Sequence, residues 1–221
     1  METPPPDSCS LYLVSPPRIA LGEFLPRAEA AFASPIVKAF QLRLKEAGDA
    51  EILNAAAALL PLARARGIAF ILNDRPDLAR QAGADGVHLG QDDMGVAEAR
   101  AILGNEAVIG VSCHASRHLA MEAAEAGADY VAFGAFYPTK SKPMEKIRKW
   151  GVPPLDILTW WSELTTIPCV AIGGVTPENC GALARAGTDF VAAITSVWEH
   201  PAGVAAALAA YEKELSVARR G

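Results

Sequence analysis

The stretch Ile71-Leu-Asn-Asp-Arg-Pro-Asp-Leu-Ala-Arg-Gln-Ala-Gly-Ala-Asp-Gly-Val-His-Leu-Gly-Gln-Asp-Asp93 decides the fold. Phe70-Ile-Leu72 is an apolar run of strand length, and it ends on Asn73-Asp74. Pro76 suits the first turn of a helix and Gly83 its C-terminal cap. Gly86-Val-His-Leu-Gly90 is a second strand, ending on Gln91-Asp92-Asp93. In a parallel sheet both polar tips lie on one edge, so Asp74 and Asp93 can face one ion. Acidic residues after strands also cap helices, and Asp92 is expected to do so. Asn73 and Gln91 place unionised oxygens beside the pair. Hard oxygen donors, with no Cys or paired His among them, suit Mg2+ rather than zinc.

The same unit extends in both directions. Upstream lie strands at Leu11–Val14 and Ala39–Lys45, with helices at Leu21–Ala33 and Ala50–Arg66. Downstream, strands are expected at Ala107–Ser112, Tyr130–Gly134, Pro168–Gly174 and Phe190–Thr195. Helices alternate with them at Val96–Leu103, Ser116–Ala126, Leu155–Leu164, Thr176–Ala186 and Ala202–Arg219. Eight strands alternating with eight helices predict a single (β/α)8 TIM barrel, with its active site at the C-terminal ends of the strands. The pattern Ala82-Gly-Ala-Asp-Gly-Val87 returns as Ala126-Gly-Ala-Asp-Tyr-Val131 and Ala186-Gly-Thr-Asp-Phe-Val191. It precedes strands four, six and eight, which fits closure because alternate strands fill the same interior layers. A doubly wound open sheet would want a glycine fingerprint after strand one, and Ser15-Pro-Pro-Arg18 has none.

Composition narrows the class. At 221 residues and net charge −5, the chain fits one domain over 10–221 behind a Pro-rich tail at 1–9. The acidic balance argues against nucleic acid or an anionic membrane as partner. No apolar run is long enough to span a bilayer and the N-terminus does not resemble a signal peptide, so a cytoplasmic protein is expected. The four cysteines lack ligand spacing and are expected to be reduced thiols. The Ala-rich last helix serves a homo-oligomer as readily as its own core.

Charge on alternate positions of strand two singles out Gln41, Arg43 and Lys45. Two cations facing a barrel interior need an anion, so a phosphorylated substrate is the natural partner. The loop Pro138-Thr-Lys-Ser-Lys-Pro-Met-Glu-Lys-Ile-Arg-Lys149 is basic, and Lys142, flanked by hydroxyls, is its best phosphate ligand. Gly173-Gly174 lets an anion approach the backbone, and Thr176-Pro177 then opens a helix. His88 alternates within its strand and suits the core or a supporting position. His114, at a strand end, can act as acid or base. Trp160 and Trp161 are expected to pack.

These segments resemble thiamine phosphate synthases. The resemblance rests on Gln41-Leu-Arg-Leu-Lys45, Asn73-Asp74, Gly86-Val-His-Leu-Gly-Gln-Asp-Asp93, Gly110-Val-Ser112, Gly134-Ala-Phe-Tyr-Pro-Thr-Lys-Ser-Lys142 and Ala171-Ile-Gly-Gly174. It implies a transferase that joins hydroxymethylpyrimidine diphosphate to thiazole phosphate and releases pyrophosphate. It assigns Asp74 and Asp93 to Mg2+, and Arg43, Lys45, Asn73, Ser112 and Lys142 to the diphosphate. Gln41 falls to the pyrimidine, and Thr139, Ser141 and Gly174 to the thiazole phosphate, with Ile194 and Thr195 nearby. Arg43, Lys45, Ser112 and Lys142 would carry the chemistry. Ser141, Ala135 and Thr195 depart from the usual Thr, Pro and Ser of that family. Two alternatives resemble the chain less fully: a thiazole tautomerase acting through His114, and a non-catalytic paralogue that binds thiamine precursors.

Overall fold

The computed structural model describes residues 9–139 and 150–218. Eight parallel strands close into a barrel in sequence order. They are β1 (Ser10–Val14), β2 (Val37–Leu42), β3 (Ala69–Asn73), β4 (Gly86–Leu89), β5 (Val108–His114), β6 (Tyr130–Gly134), β7 (Cys169–Ile172) and β8 (Phe190–Ala193). Pairing of β1 with β8 completes the ring, with Leu11 opposite Val191. The surrounding helices are α1 (Leu21–Phe32), α2 (Asp49–Arg64), α3 (Pro76–Ala82), α4 (Val96–Leu103) and α5 (Arg117–Glu125). After them come α6 (Asp156–Leu164), α7 (Pro177–Arg185), α8 (Thr195–Trp198) and α9 (Val204–Ala218).

Strand alternation produces two separate cores. Phe40, Leu42, Phe70, Leu72, Val131 and Phe133 point outward and pack beneath the helices, where Phe32, Leu59, Leu158 and Leu208 meet them. Tyr12, Ala39, Ile71, Tyr130, Val170 and Phe190 point inward and fill the barrel. Shifting one strand by a residue would exchange these sets, so burial on both faces fixes register.

The repeated Gly-x-Asp junction has a specific task. Gly83, Gly127 and Gly187 adopt φ of 68°, 88° and 98°, left-handed values that turn the chain into the next strand. The following aspartate reaches back to the first or second amide of the preceding odd strand. Asp85 Oδ2 accepts from Phe70 N at 2.7 Å, Asp129 Oδ2 from Ile109 N at 2.7 Å, and Asp189 Oδ2 from Cys169 N at 2.8 Å. These backbone donors at the closed end of the barrel are thereby satisfied.

Some boundaries differ from the sequence expectation. β2 ends at Leu42, so Arg43 and Lys45 stand on the loop beyond it. β8 ends at Ala193, and Thr195 opens the four-residue helix α8 instead of closing a strand. A helix this short leaves no periodic trace, and its apolar approach through Ala193-Ile194 looks like more strand. Asp92 does not cap α4: the N-cap is Gly95, and no side chain bonds there. The last helix packs its apolar stripe (Val204, Ala207, Leu208, Tyr211, Leu215) inward, with α7, α1 and α8 as helical neighbours. All four cysteines are buried free thiols. No described helix is long and apolar enough to cross a membrane.

Candidate active site

A cavity of about 230 Å³ opens at the C-terminal end of the barrel. Gln41, Arg43, Lys45, Asn73, Asp74, Asp93, Ser112, Thr139, Gly174, Ile194 and Thr195 all line it. The structure therefore brings together every expected site residue except Lys142 and Ser141, which lie outside the described residues.

On one side stand the charges. Arg43 is half-buried, and its backbone amide donates to Ser15 Oγ at 2.9 Å, fixing the loop that carries it. Burial pulls its pKa below the ordinary arginine value, and the nearby Asp74 carboxylate opposes that shift. Asp74 itself is raised to about 6, chiefly by burial, then by the charge of Asp93 and a hydrogen bond with it. Arg43 and the Asn73 side chain act in the opposite direction. Asp93 Oδ2 accepts from Gly90 N at 2.7 Å, which closes the turn after β4 and aims the carboxylate. A Cβ on Gly90 would lie 2.7 Å from that oxygen, so glycine leaves room for the turn.

Two carboxylates near enough to share a hydrogen bond repel when both ionise. A shared proton relieves that repulsion, and a hard dication held between them would do the same. The donor set of Asp74, Asp93 and the adjacent amide oxygens fits Mg2+ in this respect. Among the described residues, no group of three or more His, Cys, Asp or Glu side chains is placed to hold a metal. An ion bound by this pair would leave coordination positions for substrate oxygens and water, as is usual for Mg2+ beside phosphates.

The opposite side is built from glycines and hydroxyls. Gly173 and Gly174 have φ of 103° and 64°. A side chain on either would strike the β6 loop, at Ala135 and at Tyr137-Pro138 respectively. At the α7 N-terminus, Asn179 Oδ1 accepts from Thr176 N at 2.8 Å while Asn179 Nδ2 donates to Gly174 O at 3.0 Å, which ties the helix start to the glycine turn. Tyr211, reaching in from α9, donates to Val175 O at 2.8 Å and pairs with Ser196 Oγ at 2.8 Å. One phenol thus ties together the loops after β7 and β8. Trp198 Nε1 donates to Val14 O at 2.7 Å and anchors α8 to β1.

The floor was not foreseen in the sequence. Tyr12 and Tyr130 meet inside the barrel with hydroxyls 2.9 Å apart, and both line the cavity. His88 lies in a supporting position, stacked on Tyr130 with its Nε2 2.8 Å from Ser112 Oγ. At the mouth, His114 stacks in parallel on Trp150, with ring centroids 4.7 Å apart. Trp161 packs as expected, buried with Nε1 donating to Ile167 O at 2.7 Å. Trp160 takes the Arg117 guanidinium 4.9 Å above its ring.

The arrangement can hold a polyanion between cations and an acid pair, beside a narrow aromatic floor and a glycine-lined wall. A family model described as thiamine monophosphate synthase matches residues 11–197. The thiamine-phosphate synthase of Rhodospirillum centenum is 53% identical over 205 residues, covering 93% of this chain and 97% of that protein. That of Hyphomonas neptunium is 45% identical over 208 residues, 91% of each. Thiamine phosphate pyrophosphorylase from Pyrococcus furiosus superimposes with a TM-score of 0.82 at 30% identity, covering 95% of this chain and 96% of that one. The family match begins in β1 and ends in α8, taking in every strand that contributes to the cavity, and so the chain belongs to the thiamine monophosphate synthase family of enzymes.

Proposed function

We propose that this enzyme, a thiamine-phosphate synthase by family, joins an amino-hydroxymethylpyrimidine diphosphate to a thiazole phosphate. The products are thiamine phosphate and pyrophosphate. The observation that carries this reading is the union in one cavity of Arg43 and Lys45, the Asp74–Asp93 pair and Ser112.

The carbon–oxygen bond between the pyrimidine methylene and the diphosphate breaks first, and its electron pair leaves with the diphosphate. Arg43 and Lys45 face that growing negative charge, and Ser112 adds a hydroxyl. Asn73 donates to Asp74 and keeps its carboxylate oriented. Mg2+ held at Asp74 and Asp93 would supply further positive charge to the diphosphate. The methylene carbon, left cationic and stabilised by the amino group of its ring, is attacked by the thiazole nitrogen lone pair. No protein nucleophile is needed, so the chain contributes position and fixed charge. Gly173-Gly174, Thr139 and Thr195 border the other side of the cavity, where the thiazole phosphate fits.

The test is pyrophosphate release. It should require both substrates and Mg2+. Isomerisation of a thiazole without the pyrimidine would support a tautomerase using His114. Binding of both substrates without turnover would support a silent paralogue.

A further inference from the structure

The barrel floor carries an unbroken row of hydrogen bonds. Gln41 Nε2 donates to Tyr12 Oη at 3.2 Å. The Tyr12 and Tyr130 hydroxyls are 2.9 Å apart, Tyr130 Oη lies 2.9 Å from His88 Nδ1, and His88 Nε2 lies 2.8 Å from Ser112 Oγ. The row crosses the interior, because β1 and β6 are not neighbours in the sheet. Gly110 makes the crossing feasible, since a Cβ there would overlap the Tyr130 ring. Its two ends are residues to which the substrate reading gives separate duties, Gln41 at the pyrimidine and Ser112 at the diphosphate.

Proton counting gives such a row a direction. Tyr12 and Tyr130 are 2% and 0% exposed, and burial pushes both phenols well above the ordinary tyrosine pKa. Each phenol therefore has one proton and must place it. With Gln41 donating to Tyr12, Tyr12 must donate to Tyr130 and Tyr130 to His88 Nδ1. His88 then carries its proton on Nε2 and donates to Ser112. Ser112 is released to give its own proton to the cavity, while Gln41 offers its amide oxygen there. Turning the Gln41 amide over reverses every bond. Ser112 would then spend its proton on His88 and offer an anion only lone pairs.

We propose that this row couples the two ends of the substrate. An N–H donor bound at Gln41 and an anion bound at Ser112 favour the same direction of the row, so each tightens the other. The proposal rests on the substrate reading above. Tyr12, Tyr130 and His88 act here as positioning residues, and selectivity falls on molecules that carry an amino group and a polyphosphate together. A ring with a carbonyl in place of the amine needs the reversed row and forfeits the Ser112 bond.

Coupling of this kind is reciprocal and measurable. Calorimetry would give the affinity for inorganic pyrophosphate, with Mg2+ present, with and without saturating aminopyrimidine alcohol. In the wild type the alcohol should tighten pyrophosphate by about fivefold or more. Tyr130→Phe keeps the ring but cuts the row, so both fragments should still bind while the factor falls towards one. Tyr12→Phe cuts it from another strand and should give the same loss even if Tyr130→Phe folds poorly. An unchanged factor in either folded variant would overturn the coupling alone. Failure of the fragments to bind the wild type would instead overturn the substrate reading, and the coupling with it. Imidazole nitrogen NMR of the ligand-free enzyme gives a check independent of substrate. His88 should be protonated on Nε2, and an Nδ1-protonated ring would overturn the proposed direction.

Discussion

Asp74 adopts φ of 61°, and among the described residues the other non-glycine positions with positive φ are Glu46 and His114. All three follow or end strands at the mouth of the barrel, and such backbone costs roughly 1–2 kcal/mol per residue. At Asp74 and His114 the strain falls on residues that line the cavity. At Asp74 it is compounded by a carboxyl pKa of about 6, raised by burial and by Asp93. In that state the folded chain holds a proton that the unfolded chain releases, so the associated stability is fully present below the ordinary aspartate pKa. It is lost as pH rises through about 6. Carboxyl NMR of the metal-free enzyme should show Asp74 titrating in that range, and Asp93→Asn should lower the midpoint. A midpoint unmoved by the substitution would mean that the two carboxylates do not interact. The same substitution removes a ligand charge and should reduce turnover by orders of magnitude while the barrel still folds, and excess chelator should abolish turnover in the wild type. The charged members of this cavity were legible in the sequence because their charges cluster just past the C-terminal ends of apolar strands, the edge where a barrel opens. Tyr12 and Tyr130 were not, because an isolated tyrosine in a strand looks like ordinary core until closure brings β1 to face β6.

Elements are positioned by contacts at both ends of the strands. At the closed end, the Asp85, Asp129 and Asp189 carboxylates hold strand amides. The repeat that contains them was visible as a pattern, but its function depended on knowing which amides lay opposite. Asp189→Ala would leave Cys169 N–H unpaired and should lower the unfolding free energy by about 1–3 kcal/mol. It lies far from the chemistry, so kcat should be unchanged. Equal denaturant midpoints for the variant and wild type would contradict this. Gly110→Ala tests the interior in the same way. Its methyl group would collide with Tyr130, and overpacking typically costs about 1–3 kcal/mol. The melting temperature should fall, and a value equal to wild type would show that the ring has room to move. At the open end, Tyr211 holds the loops after β7 and β8 from the last helix. A tyrosine on an Ala-rich helix gives no sequence signal of that reach.

The whole barrel was legible because eight apolar runs alternate with helical segments and each polar tip falls on one edge. The boundaries least legible were those where a loop or short helix takes over from a strand, as at Arg43 and Thr195. Those positions contribute directly to the cavity, so errors of three residues after β2 and two after β8 change the structural element but not the residues that line the site. Electrostatics at molecular scale agrees with this picture. In a chain of net charge −5, the cations Arg43 and Lys45 line the cavity instead of the bulk surface, the arrangement that the proposed anionic substrate would need. Diphosphate departure should therefore depend on Arg43 more than on any acid–base group, since its guanidinium meets charge that grows as the bond breaks. The direct measurement is kcat/KM for Arg43→Ala and His114→Ala with both substrates and pyrophosphate as the readout. Arg43→Ala should fall by about a hundredfold or more, and His114→Ala should remain within about tenfold of wild type. An inactive His114→Ala beside an active Arg43→Ala would contradict the assignment of the site.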